Sequence, residues 1–262
     1  MSNTSELQRR LDSDLIDAAT IGDPEAISRL LSQGANPSAA WFEALREAVK
    51  NQHVACVKLL APLSAETGCA LALRIAADQG LSACVKVLIP FCDPMADGFQ
   101  ALADAAKSGH AECVELLLPV SDSRVQAAQA LRWAALAGHA SCVALLIPSC
   151  DPKARASEAL RAAAECGHAA CVKMLLPVSE SPLDNPCIVT QALAGGCAEV
   201  FSLMLLHEPG LASSLDLPHI QNSARKEGFH ALGDFVASFL EARELSLSTP
   251  GSFPEPGKSP RL

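Results

Sequence analysis

Apolar side chains return along this chain as a two-part phrase. In residues 130–148, ALRWAALAGHASCVALLIP, Leu131, Ala134 and Ala135 recur at helical spacing, and Gly138 then breaks the helix. A second stripe follows in Cys142, Val143, Leu145 and Leu146. Pro148 closes it, because proline disfavours helical geometry before it and has no N–H to donate. The same phrase starts at Ala44, Ala72, Ala101 and Ala159, at intervals of 28 or 29 residues. Weaker copies start near Asp14, Cys187 and Ile220, which makes about eight units. A pair of short helices buries too little apolar surface to stand alone. Stacked pairs share a continuous core, and end units depart from the pattern because one face meets solvent. The pattern predicts an all-α solenoid of helix–turn–helix repeats with short connecting turns.

The boundaries follow. Residues 1–13 are a polar N-terminal segment, 14–243 the repeat domain, and 244–262 a Ser/Pro-rich tail expected to be disordered. In the first unit Asp23 suits an N-cap, Pro24 the first helical position, and Gly34 the helix end. The Ala105/Ala106, Ala134/Ala135 and Ala163/Ala164 pairs let neighbouring helix pairs approach closely. In the unit from Cys187, the Gly195-Gly196 pair and the insertion from Leu206 to Leu217 predict a bend or irregular loop.

Composition adds that the core is built of small residues: half the chain is hydrophobic, 4% is aromatic, and Tyr is absent. A net charge of −9 argues against nucleic acid, which needs clustered Lys and Arg, and against an anionic membrane surface. No apolar run reaches the roughly 18–20 residues of a membrane span. Met1 to Ser13 lacks the apolar core of a signal peptide, so Sec-type export is not expected. Of the eleven cysteines, Cys56, Cys84, Cys113, Cys142 and Cys171 hold one equivalent position. Each sits beside a valine on an apolar stripe, as a small hydrophobe does. Reduced thiols and a cytoplasmic setting follow.

The candidate chemistry is the recurring H-x-x-C spacing at His53/Cys56, His110/Cys113, His139/Cys142 and His168/Cys171. A thiol or metal site would need both side chains to converge. The histidine instead starts the second helix and the cysteine lies on its buried stripe, so a structural role, capping a helix end or bracing a neighbouring loop, explains the recurrence better. A thiol- or metal-binding protein using this ladder is the alternative. Cys92 and Cys150 fall in turns, where they are either exposed thiols or ordinary turn residues. There is no C-x-x-C pair, no phosphate loop and no G-x-S-x-G elbow. Glu112 and Glu115 sit at helical spacing on a solvated face. No catalytic residue, cofactor or metal ligand is expected, and the chain is not expected to be an enzyme.

The string AAxxGHxxCVxLLLP resembles the ankyrin repeat, and DLIDAATIGDPEAISRLLSQGANPS resembles an opening ankyrin unit; together they span roughly Asp14 to Ala242. The Thr-Pro-Leu-His start of the family's first helix is missing. Gln100-Ala101-Leu102-Ala103, Gln129-Ala130-Leu131-Arg132 and Glu158-Ala159-Leu160-Arg161 stand there instead. The unit is also about four residues short of the family's 33. The missing residues fall in the connection that forms a projecting finger in the family. Here that connection is 148–157, and tight turns are expected.

The resemblance implies a protein–protein interaction scaffold, a monomer, that binds a protein partner on a concave face of first helices. The positions implied are Glu47, Ile75, Asp78, Asp104, Lys107, Trp133, Leu136 and Glu165. They vary while their neighbours repeat. Trp133 admits two readings, an anchor for the partner or a cover for an inter-repeat gap. Asp78, Asp104 and Glu165 would favour some basic character in that partner. The Ala-rich units also resemble those of bacterial ankyrin-repeat proteins. That implies, as settings, an effector delivered into a host cell or an inhibitor that blocks its target with the same face.

Overall fold

The computed structural model describes residues 2–92, 98–121, 124–150 and 156–248. Among these residues the chain forms α-helices and short 3-10 turns, with no strand. The first helices of the units are α1 (Ser2–Ile21), α3 (Ala39–Lys50), α5 (Glu66–Asp78), α7 (Gly98–Ser108), α9 (Arg124–Ala137), α11 (Ala156–Glu165) and α13 (Pro186–Ala194). They pack side by side in one row. The second helices are α2 (Pro24–Ser32), α4 (Val54–Leu60), α6 (Ser82–Leu88), α8 (Ala111–Leu117), α10 (Ala140–Leu146), α12 (Ala169–Leu175) and α14 (Ala198–His207), and they form a second row. The chain closes with α15 (Leu211–Ser214), α16 (Leu217–Lys226) and α17 (His230–Ser248).

The core runs between the rows. Leu45, Leu73, Leu102, Leu131 and Leu160 fill it from the first helices, and Cys–Val–Leu sets such as Cys142, Val143 and Leu146 from the second. The paired alanines lie fully buried at the seams. Each unit turns between its helices on one residue in the left-handed region. Gly138 does so at φ +80°, with the His139 N–H donating back to the Ala134 carbonyl at 2.9 Å. This bond satisfies a carbonyl left open at the helix end. The second helices end just ahead of the closing proline, α10 at Leu146. Pro148 lies inside a 3-10 turn over Ile147–Ser149, as do its counterparts in the other central units. Of the connection 148–157, residues 151–155 lie outside the described residues.

The ends add detail to the expected boundaries. Helix α1 starts at Ser2 and runs through residue 14 without a break, held at its start by the Gln8 amide donating to the Gly34 carbonyl. Helix α17 continues past 244 to Ser248; the tail from 249 lies outside the described residues. The insertion after α14 folds into α15, and Asp216 caps α16 by accepting from the His219 N–H. The rows also diverge here. The second-helix row carries on from α14 to α17, with Phe201 edge-on to Phe235 at 6.3 Å. In the first-helix row, α13 and α16 touch only sparingly. A cleft of about 300 Å³ lined by Leu193, Ile220, Phe229 and Leu232 lies between them.

The entry to α3 is the other irregularity. Ala40, Trp41 and Phe42 are all left-handed, at φ 48°, 58° and 61°. For residues with a Cβ such a turn carries strain of order 1–3 kcal/mol per residue. It leaves Trp41 83% exposed. Phe42 lies over Gly68, where an added Cβ would meet its ring at 2.4 Å.

Candidate functional site

The His/Cys ladder resolves into two separate structures. His53, His110, His139 and His168 each turn the ring away from their own unit. Their Nε2 atoms lie 2.9–3.0 Å from the carbonyls of Thr20, Asp78, Lys107 and Leu136 in the preceding first helix. A carbonyl only accepts, so Nε2 carries the proton. The ring brings a donor to an open carbonyl near the end of the neighbouring helix. The cysteines point into the core instead. Burial pushes the Cys113 thiol up to about 11, helped by the negative charge of Glu112, and Cys150 likewise to about 11. Burial also raises Cys56, Cys69, Cys84, Cys142 and Cys171. A thiol held protonated is a poor nucleophile and a poor metal ligand. Cys92 and Cys150 are buried as well, so their place in turns does not expose them. Cys166 and Cys187 are exposed. Among the described residues no three His, Cys, Asp or Glu side chains gather around a point.

The surface of the first-helix row is more informative. Three clefts lie along it end to end. One of about 370 Å³ is lined by Trp41, Phe42, Thr67, Ala70, Leu71 and Arg74. The next, of about 310 Å³, shares Leu71 and Arg74 and adds Ile75, Asp78 and Asp104. The third, of about 160 Å³, shares Asp104 and adds Ala103, Lys107 and Trp133 with two glutamines. Together they form one groove across α3, α5, α7 and α9, with a tryptophan at each end. Across the groove Arg74 Nε meets Asp104 Oδ2 at 3.0 Å, and the Ser108 hydroxyl donates to Asp78 at 2.8 Å. Lys107 Nζ stands 5.6 Å and Arg132 Cζ 5.9 Å from the Trp133 ring centre. Such cation–π contacts at exposed sites are worth about 0.5–1 kcal/mol.

Of the residues singled out in the sequence, Ile75, Asp78, Asp104, Lys107 and Trp133 line this groove. Ile75 is also packed partly against the core. Glu47 lies outside the groove, paired with Lys50 on its own helix. Leu136 and Glu165 do not line it either; the backbone carbonyl of Leu136 receives His168. Trp133 is half-buried beside its cleft. The sequence pattern did not single out Trp41, Leu71 and Arg74. A signal was present for the last, since Arg46, Arg74, Arg132 and Arg161 occupy one equivalent position.

A family profile described as ankyrin repeats in three copies matches residues 45–129 and 102–186. The crystal structure of the human ASB11 ankyrin repeat domain is similar, with a TM-score of 0.58 and 25% identity. The likeness covers 74% of this chain and 97% of that one. No curated protein matches the sequence.

Proposed function

This chain belongs to the ankyrin-repeat family, and from that premise we propose that it binds a partner protein in the groove between Trp41 and Trp133 and performs no chemistry of its own. Ankyrin repeats are in general protein-interaction scaffolds. The observation that carries the reading is the continuity of the three clefts, with an aromatic anchor at either end. Tryptophan is prominent among interface residues that carry large shares of binding energy, and a groove helps keep water away from such contacts.

Eleven free cysteines, eight of them buried, fit a reducing compartment, where we place the protein. Among the described residues no helix is long and apolar enough to cross a membrane. Delivery into a host cell is one setting in which such a binder would act.

The test is affinity capture with the intact chain and with Trp41→Ala and Trp133→Ala variants, their folding checked by circular dichroism. Folded variants should lose the partners that the parent retains, by tenfold or more in affinity if each ring is worth about 2 kcal/mol. Folded variants that keep every partner place the binding surface elsewhere.

A further inference from the structure

The row of arginines has one gap. Arg46, Arg74, Arg132 and Arg161 hold the same first-helix position in four central units, and the unit from Ala101 has Ala103 there. Ala103, 8% exposed, lines the small cleft together with Gln100, Asp104, Lys107, Gln129 and Trp133.

The polar groups around this gap are mostly donors. Among the described residues neither Lys107 nor Arg132 has an acid within ion-pairing distance. Asp104, the acid at the cleft, is already taken by Arg74. The amides of Gln100 and Gln129 are exposed. Of the two charged side chains that line the cleft, Asp104 is thus engaged and Lys107 is not, and Arg132 adds a second cation beside the Trp133 ring. The chain as a whole carries −9. The free acids Glu158 and Glu165 stand one helix further on, in α11, and do not line the cleft.

We propose that the gap at Ala103 is a socket for a carboxylate, and that the groove takes an acidic segment of the partner protein. This rests on the groove reading above and reverses the basic character expected of the partner, because Asp78 already accepts from Ser108, Asp104 pairs with Arg74, and Glu165 lies off the groove. A carboxylate accepts and never donates, so it matches Lys107, Arg132 and the donor ends of the two amides. Hydrogen bonds between ionised partners are the strong ones. An arginine at position 103 would fill the space and supply its own cation. The cleft at the far end of the groove, at Trp41 and Leu71, takes an apolar side chain of the same segment. Leu71 on α5 and Trp133 on α9 lie two helices apart, about 16–20 Å at usual helix spacings. An extended segment crosses that distance in about five or six residues.

The experiment is selection from a displayed random-peptide library against the full chain, followed by binding of the selected peptides to variants. The expected peptides carry Asp or Glu about five residues from an apolar residue. Their affinity should fall roughly tenfold or more in Ala103→Arg, and fall again as salt is raised. Ala103→Arg installs the residue that four sister units already carry. Lys107→Gln and Arg132→Gln give the same answer without adding volume. Basic or uncharged winners, no winners, or acidic winners indifferent to all three variants overturn the socket. Uncharged winners that still need Trp133 would sink the socket and leave the groove standing. Winners indifferent to both Trp41→Ala and Trp133→Ala would sink the groove as well.

Discussion

The His168 imidazole occupies the space that a side chain at Gly138 would need: a Cβ built there would stand 2.6 Å from its Nδ1. The same fit joins Gly22 to His53, Gly80 to His110 and Gly109 to His139. Three joints lack the histidine: Gly167 meets Cys197 and Gly196 meets Phe229, and the third explains the rule. Where the turn residue is Gln52, at φ 61°, the next unit carries Leu81 in place of histidine. A Cβ leaves no room for the ring. The glycine is therefore needed twice, for a positive φ and for the neighbour's imidazole.

Gly138→Ala should destabilise the protein by about 1–3 kcal/mol, through left-handed strain and the crowded ring. His168→Ala should cost about 1 kcal/mol for its lost hydrogen bond. The double variant should cost less than the sum, because removing the ring relieves the crowding. Urea denaturation of the four proteins checks this; strict additivity would mean that the two residues do not press on one another.

The rung missing at Gln52 can be restored. Gln52→Gly together with Leu81→His should stabilise by about 1 kcal/mol, the worth of one such hydrogen bond plus relief of a strained turn. Leu81→His alone should destabilise, since Gln52 blocks the ring. A double variant no more stable than the histidine variant alone would show that the carbonyl of Lys50 is not reachable.

At the entry to α3, Ala40→Gly should raise stability by up to about 1 kcal/mol, because glycine adopts the left-handed region without a Cβ clash. Thermal or urea melts report it. A loss of stability there would argue that Ala40 makes contacts worth more than the strain it bears.

The thiols give a dependence on pH. Cys113 and Cys150 are raised from the ordinary 9.0 to about 11, so folding favours their neutral form. Their contribution to stability is whole below pH 9.0 and is lost as pH rises through about 11. Below pH 9.0, Cys166 and Cys187 should label promptly, and the eight buried cysteines only on unfolding. Prompt labelling of Cys142 in the folded protein would contradict its burial.

Ala135, fully buried, lies where adjacent helix pairs meet. Ala135→Leu should cost about 1–3 kcal/mol by overpacking that seam. A denaturation midpoint equal to the parent's would mean that the seam has slack.

Much of this architecture was legible because it is local. The spacing of Leu131, Ala134 and Ala135, the glycine at 138 and the proline at 148 lie within one unit, and each acts on its immediate neighbours. What escaped the sequence joins residues about thirty apart. Nothing near His168 shows that its ring reaches the carbonyl of Leu136. Nothing near Cys92 or Cys150 shows that the neighbouring helices cover them. The groove escaped for the same reason, since Trp41, Arg74 and Trp133 meet along one surface only once four units are stacked. Positions chosen by analogy with a family's first helix found Trp133 and Asp104 but also Leu136 and Glu165, which lie off the groove. The left-handed turn at 40–42 bears no glycine to announce it.

The histidine rung has one more implication. Its two halves sit in consecutive units and repeat in register at Gly80, Gly109 and Gly138. Excising residues 110–138 would join Gly109 directly to His139, set His139 against Gly80, and bring His168 against Gly109. Each glycine–histidine joint in the shortened protein would be of a kind the parent already makes. The length of the array is thus nearly free to change by whole units, and a gene that duplicates or drops one such stretch encodes a chain whose new neighbours already fit.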